Sequence, residues 1–155
     1  MEVHVRCVGM ARLIEKLRDK EEDIADMRNF WRSVGLYLVK RSVNDSFGKE
    51  QAPDGTKWVP WSKKYRKRME KLGKRGRHKM LSDIGELRRS VKYVAFKARV
   101  IVGSILRYAR RHQLGDKSWA AGGRGIPARP YLGVTEQDRT EILRMMRDYF
   151  RRHGR

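Results

Sequence analysis

Apolar residues recur along this chain first at every second position and then at intervals of three and four. Val3, Val5 and Cys7 alternate with polar residues, which is the pattern of a short strand with one buried face and is compatible with a sheet edge. From residue 11 to residue 47 the spacing becomes helical. It predicts one long helix, or two with a break near residues 19–23, with Gly35 either packed closely against a neighbour or simply tolerated. The apolar positions of this stretch are Leu13, Ile14, Leu17, Ile24, Met27, Phe30, Trp31, Val34 and Leu38.

A turn and a second helix follow. Residues 53–55 read Pro-Asp-Gly, which combines a fixed φ, an Asx hydrogen bond and a residue free to take positive φ. Trp58 and Trp61 come next. We expect them to form a small hydrophobic cluster that holds the loop in place, and the alternative is a platform on which nucleic-acid bases stack. Ser62 is a candidate N-cap for a helix with a narrow apolar side and a broad basic face.

The rest of the pattern indicates an α+β protein. Residues 80–87 predict a short helix or turn with Ser82 as a candidate cap, and the β-rich runs 90–96 and 99–103 predict a hairpin. Residues 105–114 return to helical spacing and end at Gly115, and a final helix buries a stripe that contains Ile142 and Met146. We expect a single domain over residues 1–155, in which a small antiparallel sheet packs against a long N-terminal helix and further helices.

The segment 126–138 is the most constrained part of the chain. Two prolines make it extended and stiff, and Thr135 with Asp138 has the spacing of a capping box for the last helix. Arg129 and Tyr131 are the side chains that such a segment would present, while Leu132 is expected to anchor it to the core. An ordinary junction between a loop and a helix is the alternative, and physical reasoning alone favours it. The preceding residues 120–125 are rich in glycine, and we predict a flexible loop over 116–130.

Charge and cysteine content restrict the classes of function. The 155 residues include 38 Lys and Arg against 18 Asp and Glu, which gives a formal net charge of +20, and there is one cysteine. A disulfide framework and a cysteine zinc site are therefore excluded within one chain, and we expect an acidic partner. No apolar run reaches the roughly 18 residues that span a membrane, and no secretion signal is evident, so synthesis in the cytoplasm and no membrane partner are expected.

The positive charge is concentrated between residues 57 and 79, where eleven Lys or Arg residues accompany one acid, Glu70. Like charges at helical spacing repel each other, so an external anion would stabilise this stretch. Binding of nucleic acid or of an acidic protein and an ordinary solvated basic face are equally compatible with the pattern. The glycine spacing does not match a phosphate-binding P-loop. The candidate contact residues are Lys63, Lys64, Lys67, Arg68, Lys74, Arg75, Arg77 and Lys79.

Catalytic chemistry has little support. The four histidines are not paired at helical spacing and have no carboxylate cluster beside them, so no metal or cofactor is expected. Cys7 lacks a motif that would mark a nucleophile, and Asp83 and Glu86 are expected to be solvated carboxylates. We therefore predict that the protein is not an enzyme.

Four segments resemble, in the same order, the phage virion morphogenesis or tail-completion family of Mu-like and related tailed phages. They are PDGTKW at 53–58, ML at 80–81 with GELRRSV at 85–91, VGS at 102–104 with YA at 108–109 and HQLG at 112–115, and IPARPYLG at 126–133. Together they span most of the chain from residue 53 onward. The N-terminal strand and helix are similar to the family in pattern only.

The resemblance implies a structural protein that completes the tail or joins it to the head. Related neck proteins form rings, often of six copies, around the DNA channel. The implied partners are other copies of the chain, tail-tube, sheath or connector proteins, and packaged duplex DNA. The implied location is the neck of the virion, after assembly in the host cytoplasm. Arg124 and residues 129–132 (Arg129, Pro130, Tyr131, Leu132) are then expected to form an intersubunit arm.

Charge also limits the role of DNA in such a ring. Six copies at +20 carry about +120, whereas duplex DNA crossing a lumen roughly 30 Å long brings about 18 phosphates at one per ~1.7 Å. We therefore expect part of the basic surface to face DNA and part to meet acidic virion proteins. The alternative is a stand-alone, sequence-independent nucleic-acid-binding protein that uses residues 57–79, although the chain shows no clear helix-turn-helix pattern.

Overall fold

A computed structural model describes residues 2–5, 26–73, 79–116, 118 and 125–153. Within these ranges the chain forms three strands, five α-helices and one π-helical segment. In chain order they are β1 (Glu2–Val5), α1 (Arg28–Arg41), the π-helical segment (Ser42–Phe47), α2 (Lys63–Lys71), α3 (Glu86–Ser90), β2 (Lys92–Ala95), β3 (Val100–Gly103), α4 (Ala109–Leu114) and α5 (Glu136–His153).

The sheet has β3 at its centre and runs antiparallel throughout, in the order β1-β3-β2. Tyr93 pairs with Val102 across one ladder, and Val3 pairs with the same residue across the other. The backbone N–H of Phe96 donates to the carbonyl of Arg99 at 2.8 Å and closes the turn between β2 and β3. The predictions of a hairpin, of a short N-terminal edge strand and of an α+β fold are confirmed.

Helix α1 covers one face of the sheet because its apolar stripe meets the inward residues of β2 and β3. Trp31 and Val34 are buried on the helix, and Val100 and Val102 are buried on β3. Gly35 lies directly over Tyr93, so a Cβ atom at position 35 would come within 2.4 Å of the Tyr93 ring. Close packing therefore explains this glycine, which a helix otherwise disfavours by about 1 kcal/mol.

Helix α5 packs against α1 on the side that carries its apolar stripe. Ile142 and Met146 are fully buried, as predicted, and Tyr149 contacts Phe30 with ring centroids 5.8 Å apart. The described part of the long N-terminal helical pattern begins at Arg28, and residues 11–25 and Cys7 lie outside the described ranges. Beyond Arg41 the helix continues as the π-helical segment, whose Ser46 and Phe47 are buried.

Two predicted helices have different bounds in the structure. The helix predicted over 105–114 begins only at Ala109, because the backbone N–H of Leu106 bonds to the Ser104 hydroxyl in an irregular turn. The helix or turn predicted over 80–87 is a turn followed by α3. Leu81 and Gly85 have φ of 59° and 74°, which a right-handed helix excludes, so Ser82 does not cap a helix.

Candidate functional site

The proline-containing segment 126–135 packs against other parts of the described chain and is held by hydrogen bonds to backbone groups. The Arg129 N–H donates to the carbonyl of His112 at 2.7 Å, and its side-chain Nε donates to the carbonyl of Val59 at 2.9 Å. The indole Nε1 of Trp58 donates to the carbonyl of Pro130 at 2.7 Å. The segment therefore crosses between two parts of the chain, one before α2 and one in α4.

The side chain of Gln113 in α4 makes hydrogen bonds with the backbone of this segment, as a neighbouring strand would in a sheet. Its Oε1 accepts from the backbone N–H groups of Tyr131 and Leu132, at 3.0 and 3.1 Å, and its Nε2 donates to the carbonyl of Leu132 at 2.7 Å. One buried amide thus satisfies three buried backbone groups that would otherwise have no partner.

Tyr131 is a core residue, with 1% of its surface exposed. Its ring contacts Phe47 at 5.1 Å, and its carbonyl accepts from the Ser42 hydroxyl at 2.8 Å. Burial raises the pKa of the Tyr131 phenol to about 12. Trp58, which contacts the same Phe47 ring at 5.9 Å, is buried as well, so its predicted packing role is confirmed.

The prediction that Arg129 and Tyr131 are presented outward is wrong. Arg129 is 7% exposed and Tyr131 1%. The Arg129 side chain turns towards Val59, before α2, whereas the Tyr131 ring packs against Phe47 of the π-helical segment and its hydroxyl reaches the carbonyl of Ala109 in α4. Leu132 is buried too, so its predicted anchoring role is confirmed. Contact of this segment with another subunit stays a prediction, and Arg124 lies outside the described residues.

The capping box at the start of α5 is confirmed and has a second function. The Asp138 carboxylate accepts from the N–H and hydroxyl of Thr135, at 2.8 and 2.7 Å, and the Thr135 hydroxyl accepts from the Asp138 N–H at 3.3 Å. The same fully buried carboxylate pairs with Arg41 and accepts from the Tyr37 hydroxyl at 2.7 Å. It therefore fixes the start of α5 to the end of α1.

Helix α2 presents the predicted basic face. Ser62 caps it by accepting from the Tyr65 N–H at 3.2 Å, and Met69 is the residue that the helix buries. The basic residues Lys63, Lys64, Lys67 and Arg68 are all exposed. Lys79 is also exposed but donates to the Gly48 carbonyl at 2.6 Å. Lys74, Arg75 and Arg77 lie outside the described residues.

A groove of about 1250 Å³ lies beside α2, between Trp61, the turn at Ile84, Leu114 of α4 and Arg129. Trp61 packs edge-on against Tyr65 at 5.4 Å on its wall. Sequence reasoning missed this groove, because its walls come from four separate stretches of the chain. The one local signal of the groove was Ile84. It is an apolar residue beside a glycine turn, where no helix or strand of its own covers it, and it is exposed in the structure.

His112 lies in the wall of the groove, and its Nδ1 atom is buried without a hydrogen-bond partner. Burial, and secondarily the charge of Arg129, lowers the pKa of His112 below its ordinary value. Among the described residues no group of three or more His, Cys, Asp or Glu side chains is arranged to hold a metal ion. None of the described helices is long and apolar enough to span a membrane.

The comparisons with known proteins agree with the resemblance seen in the sequence. A model of the phage virion morphogenesis family matches residues 8–151. The Mu-like prophage FluMu G protein 2 of Haemophilus influenzae strain Rd is 39% identical over 70 residues, which cover 45% of this chain and 51% of that protein. The chain thus spans about half the length of the curated relative it matches. No solved structure matches the chain.

Proposed function

Because this chain belongs to the phage virion morphogenesis family, we propose that it completes the phage tail or joins it to the head, as a ring of copies around the DNA channel. The observation that carries the proposal is the family match over residues 8–151. An association with the virion and a role in its assembly follow from the family. The ring, the position at the neck and the absence of catalysis are our proposals.

Exposed apolar side chains in several parts of the fold are compatible with a ring subunit. Ring closure uses two different surfaces of each copy, since a head-to-tail contact joins unlike patches. Large apolar side chains are exposed in separate parts of the described chain, for example Leu36 on α1, Val94 on β2, and Ile105 before α4. Scattered exposure of this kind is common on single proteins, so these side chains support the proposal only together with the family match.

The basic face of α2 is the surface that we assign to the DNA channel. Lys63, Lys64, Lys67 and Arg68 are exposed together on one short helix, and none of them makes an ion pair within the described ranges. Phosphates attract such a face without regard to base sequence. Since DNA in a channel neutralises only a small part of the charge of six copies, other basic surfaces are left for acidic virion proteins.

Electron microscopy of the purified protein and of assembled tails tests the proposal. We expect closed rings, or rings seated at one end of the tail tube. Particles that remain single copies under all conditions and still bind DNA would favour the stand-alone nucleic-acid-binding alternative. Turnover of any substrate would contradict the non-enzymatic role.

DNA binding by the ring tests the assignment of α2. We expect weak, sequence-independent binding that falls steeply with salt. Changing the four basic residues of α2 to serine should reduce the slope of log affinity against log salt by up to about 0.9 for each phosphate that the protein no longer neutralises. The matched control changes four arginines of α5 to serine and removes the same charge: Arg139, Arg144, Arg147 and Arg151. If the two variants reduce the slope equally, the assignment of α2 to the DNA channel is wrong.

A further inference from the structure

The three-stranded sheet has two free edges, one on β1 and one on β2. Because β3 lies between them, each outer strand is paired along one side only. A free strand edge presents a row of backbone N–H and C=O groups that can bind another strand. The segment before α1 comes close to the β2 edge just past its end, where the N–H of Met27 donates to the carbonyl of Lys97 at 3.1 Å. Within the described residues, both strands are therefore open along their outer sides.

On β2, the backbone groups of Tyr93 and Ala95 point to the free edge. The N–H of Phe96 donates to the carbonyl of Arg99 at 2.8 Å, so these two residues form a hydrogen-bonded pair of the hairpin. Bonded and non-bonded pairs alternate along an antiparallel ladder, which leaves Tyr93 and Ala95 in non-bonded pairs with β3. Their N–H and C=O groups are directed outward, and no described residue forms a hydrogen bond with them.

On β1, the backbone groups of Glu2 and His4 point to the other free edge. Successive residues of β3 bond alternately to β2 and to β1, because the backbone groups of a strand point to its two sides in turn. The register therefore puts Val3 and Val5 in hydrogen-bonded pairs with β3 and leaves Glu2 and His4 in non-bonded pairs. Each edge thus offers two residues whose N–H and C=O groups point outward.

The two edges are complementary in direction and in spacing. β1 and β2 run in the same direction, because each is antiparallel to β3. Copies related by rotation about a ring axis keep this direction, so β1 of one copy meets β2 of the next in parallel. In a parallel ladder, a residue of one strand bonds to the residues before and after the one opposite it. Tyr93 and Val3 lie at the same level of the sheet, so Tyr93 would bond to Glu2 and His4, the residues that point outward.

Parallel pairing also keeps α1 on the same face of the sheet in every copy. Tyr93 lies on the face that α1 covers, and Val3 belongs to the same face, since both lie opposite Val102. Antiparallel pairing would instead place Tyr93 opposite Glu2 or His4, which belong to the other face. Helix α1 would then change faces from one copy to the next, which a closed ring of more than two copies excludes.

We propose that β1 of one copy pairs in parallel with β2 of the next, so that the sheets of all copies form one continuous band. The inference rests on the proposed ring and identifies the contact that closes it. A second copy is favoured over a strand of another protein, because one chain carries both complementary edges at the same level.

The charges at the proposed contact favour the same register. Lys92 is exposed on β2 and comes opposite Glu2 of the next copy, since both lie at the level of Gly103. A lysine on an edge strand normally discourages pairing, but here the opposite residue carries the opposite charge. Val94, which is 58% exposed, comes opposite His4 in the same way. The net charge of +20 on each copy opposes assembly as a whole, and salt weakens this repulsion.

Cysteine cross-linking of the full chain tests the contact. Cys7 is changed to serine, and Val94→Cys and His4→Cys are introduced into the same chain. Neighbouring strands lie about 4.8 Å apart, which is within the range of about 4.4–6.8 Å between the Cα atoms of a disulfide. We expect mild oxidation to give a ladder of covalent oligomers that ends at the number of copies in the ring. Oxidation is repeated in about 1 M NaCl, where a Debye length of about 3 Å screens the repulsion between copies.

Single-cysteine chains are the matched controls. Neither Val94→Cys nor His4→Cys should cross-link alone, whereas a mixture of the two should give a dimer, because the contact joins unlike edges. Leu114→Cys in place of Val94→Cys controls for random collisions, since Leu114 is also 58% exposed but lies on α4. A dimer from Val94→Cys alone would mean that β2 pairs with β2 and would overturn the proposal. Cross-linking that is as strong with Leu114→Cys would do so too.

Exchange of charges tests the register in a chain that keeps Cys7. Lys92→Glu should weaken the contact between copies about fivefold in sedimentation velocity, because like charges then lie opposite each other. Adding Glu2→Lys to this variant should restore the contact to within about twofold of the wild type. Lys40→Glu, at an exposed position of α1, makes the same change of charge and should have less than about a twofold effect. If the second substitution does not restore the contact, the register is wrong.

Failure of the edge contact and failure of the proposed function have different signatures. Rings in the electron microscope that give no cross-link between positions 4 and 94 would reject the edge contact and retain the ring. Cross-linked chains that grow without a final size would retain the strand pairing and reject the closed ring. A protein that remains single in both measurements would contradict both.

Discussion

Replacement of Gln113 by leucine is the most direct test of how the segment 126–135 is held. Leucine is close to glutamine in size but has no polar atoms. The change removes the three hydrogen bonds that the Gln113 amide makes with Tyr131 and Leu132. Those two N–H groups and one carbonyl then stay in the interior without this partner.

The expected cost follows from the burial of these groups. A typical hydrogen bond contributes about 1 kcal/mol net, and a buried polar group without a partner costs about 1–3 kcal/mol. Relaxation of the segment and water entry reduce the sum, while new apolar packing by leucine offsets part of it. We therefore expect the free energy of unfolding to fall by about 3–5 kcal/mol. For a chain of this size, that corresponds to a decrease of roughly 6–20 °C in Tm.

Urea and thermal denaturation, followed by circular dichroism, measure this change. Gln137→Leu is the matched control, because Gln137 is exposed at the start of α5 and should tolerate the same substitution within about 0.5 kcal/mol. If the two variants differ by less than about 1 kcal/mol, the Gln113 amide does not hold the segment and the account of this site is wrong.

Three further changes test other parts of the structure. Gly35→Ala should destabilise the protein by about 1–3 kcal/mol, because the new methyl group meets the Tyr93 ring at 2.4 Å; Gly48→Ala, with its nearest contact at 3.8 Å, should be neutral or slightly stabilising in the same denaturation assay. Asp138→Ala should cost on the order of 3 kcal/mol, since it removes the buried carboxylate that pairs with the partly buried Arg41 and also removes a helix cap. His112 has a lowered pKa in the folded state, so it stabilises the fold above pH 6.5, and that stability should be lost as the pH falls through the folded pKa; His112→Gln should flatten this part of the stability profile.

Each of these expectations has an outcome that would contradict it. If Gly35→Ala is as stable as Gly48→Ala, then α1 and β2 accommodate the added methyl group without a measurable loss of stability. An Asp138→Ala protein as stable as Asp148→Ala, a substitution at a partly exposed site on the same helix, would remove the link between α5 and α1. For His112, an NMR titration with a pKa at or above 6.5 would reject the effect of burial.

Local features of the fold were predictable from the residues that form them. The Asx turn at Asp54, the caps at Ser62 and Thr135 and the hairpin around residues 97–98 all depend on interactions within about three residues. The apolar stripe of α5 also follows from its own spacing. Errors in helix bounds arose where a contact outside the helical pattern intervened, as with the Ser104 hydroxyl before α4.

The sequence by itself determined the elements, the basic face of α2, the single cysteine and the membership in the phage virion morphogenesis family, because periodicity, charge and motifs are properties of neighbouring residues. Only the tertiary structure decided that Arg129 and Tyr131 turn inward, that Gln113 pairs with a segment 18 residues away, and that four separate stretches of the chain form a groove beside α2. An extended segment has two faces, and its sequence does not say whether the rest of the chain will cover one of them or, as at Tyr131 and Leu132, both. That choice depends on packing between parts of the chain that are distant in sequence.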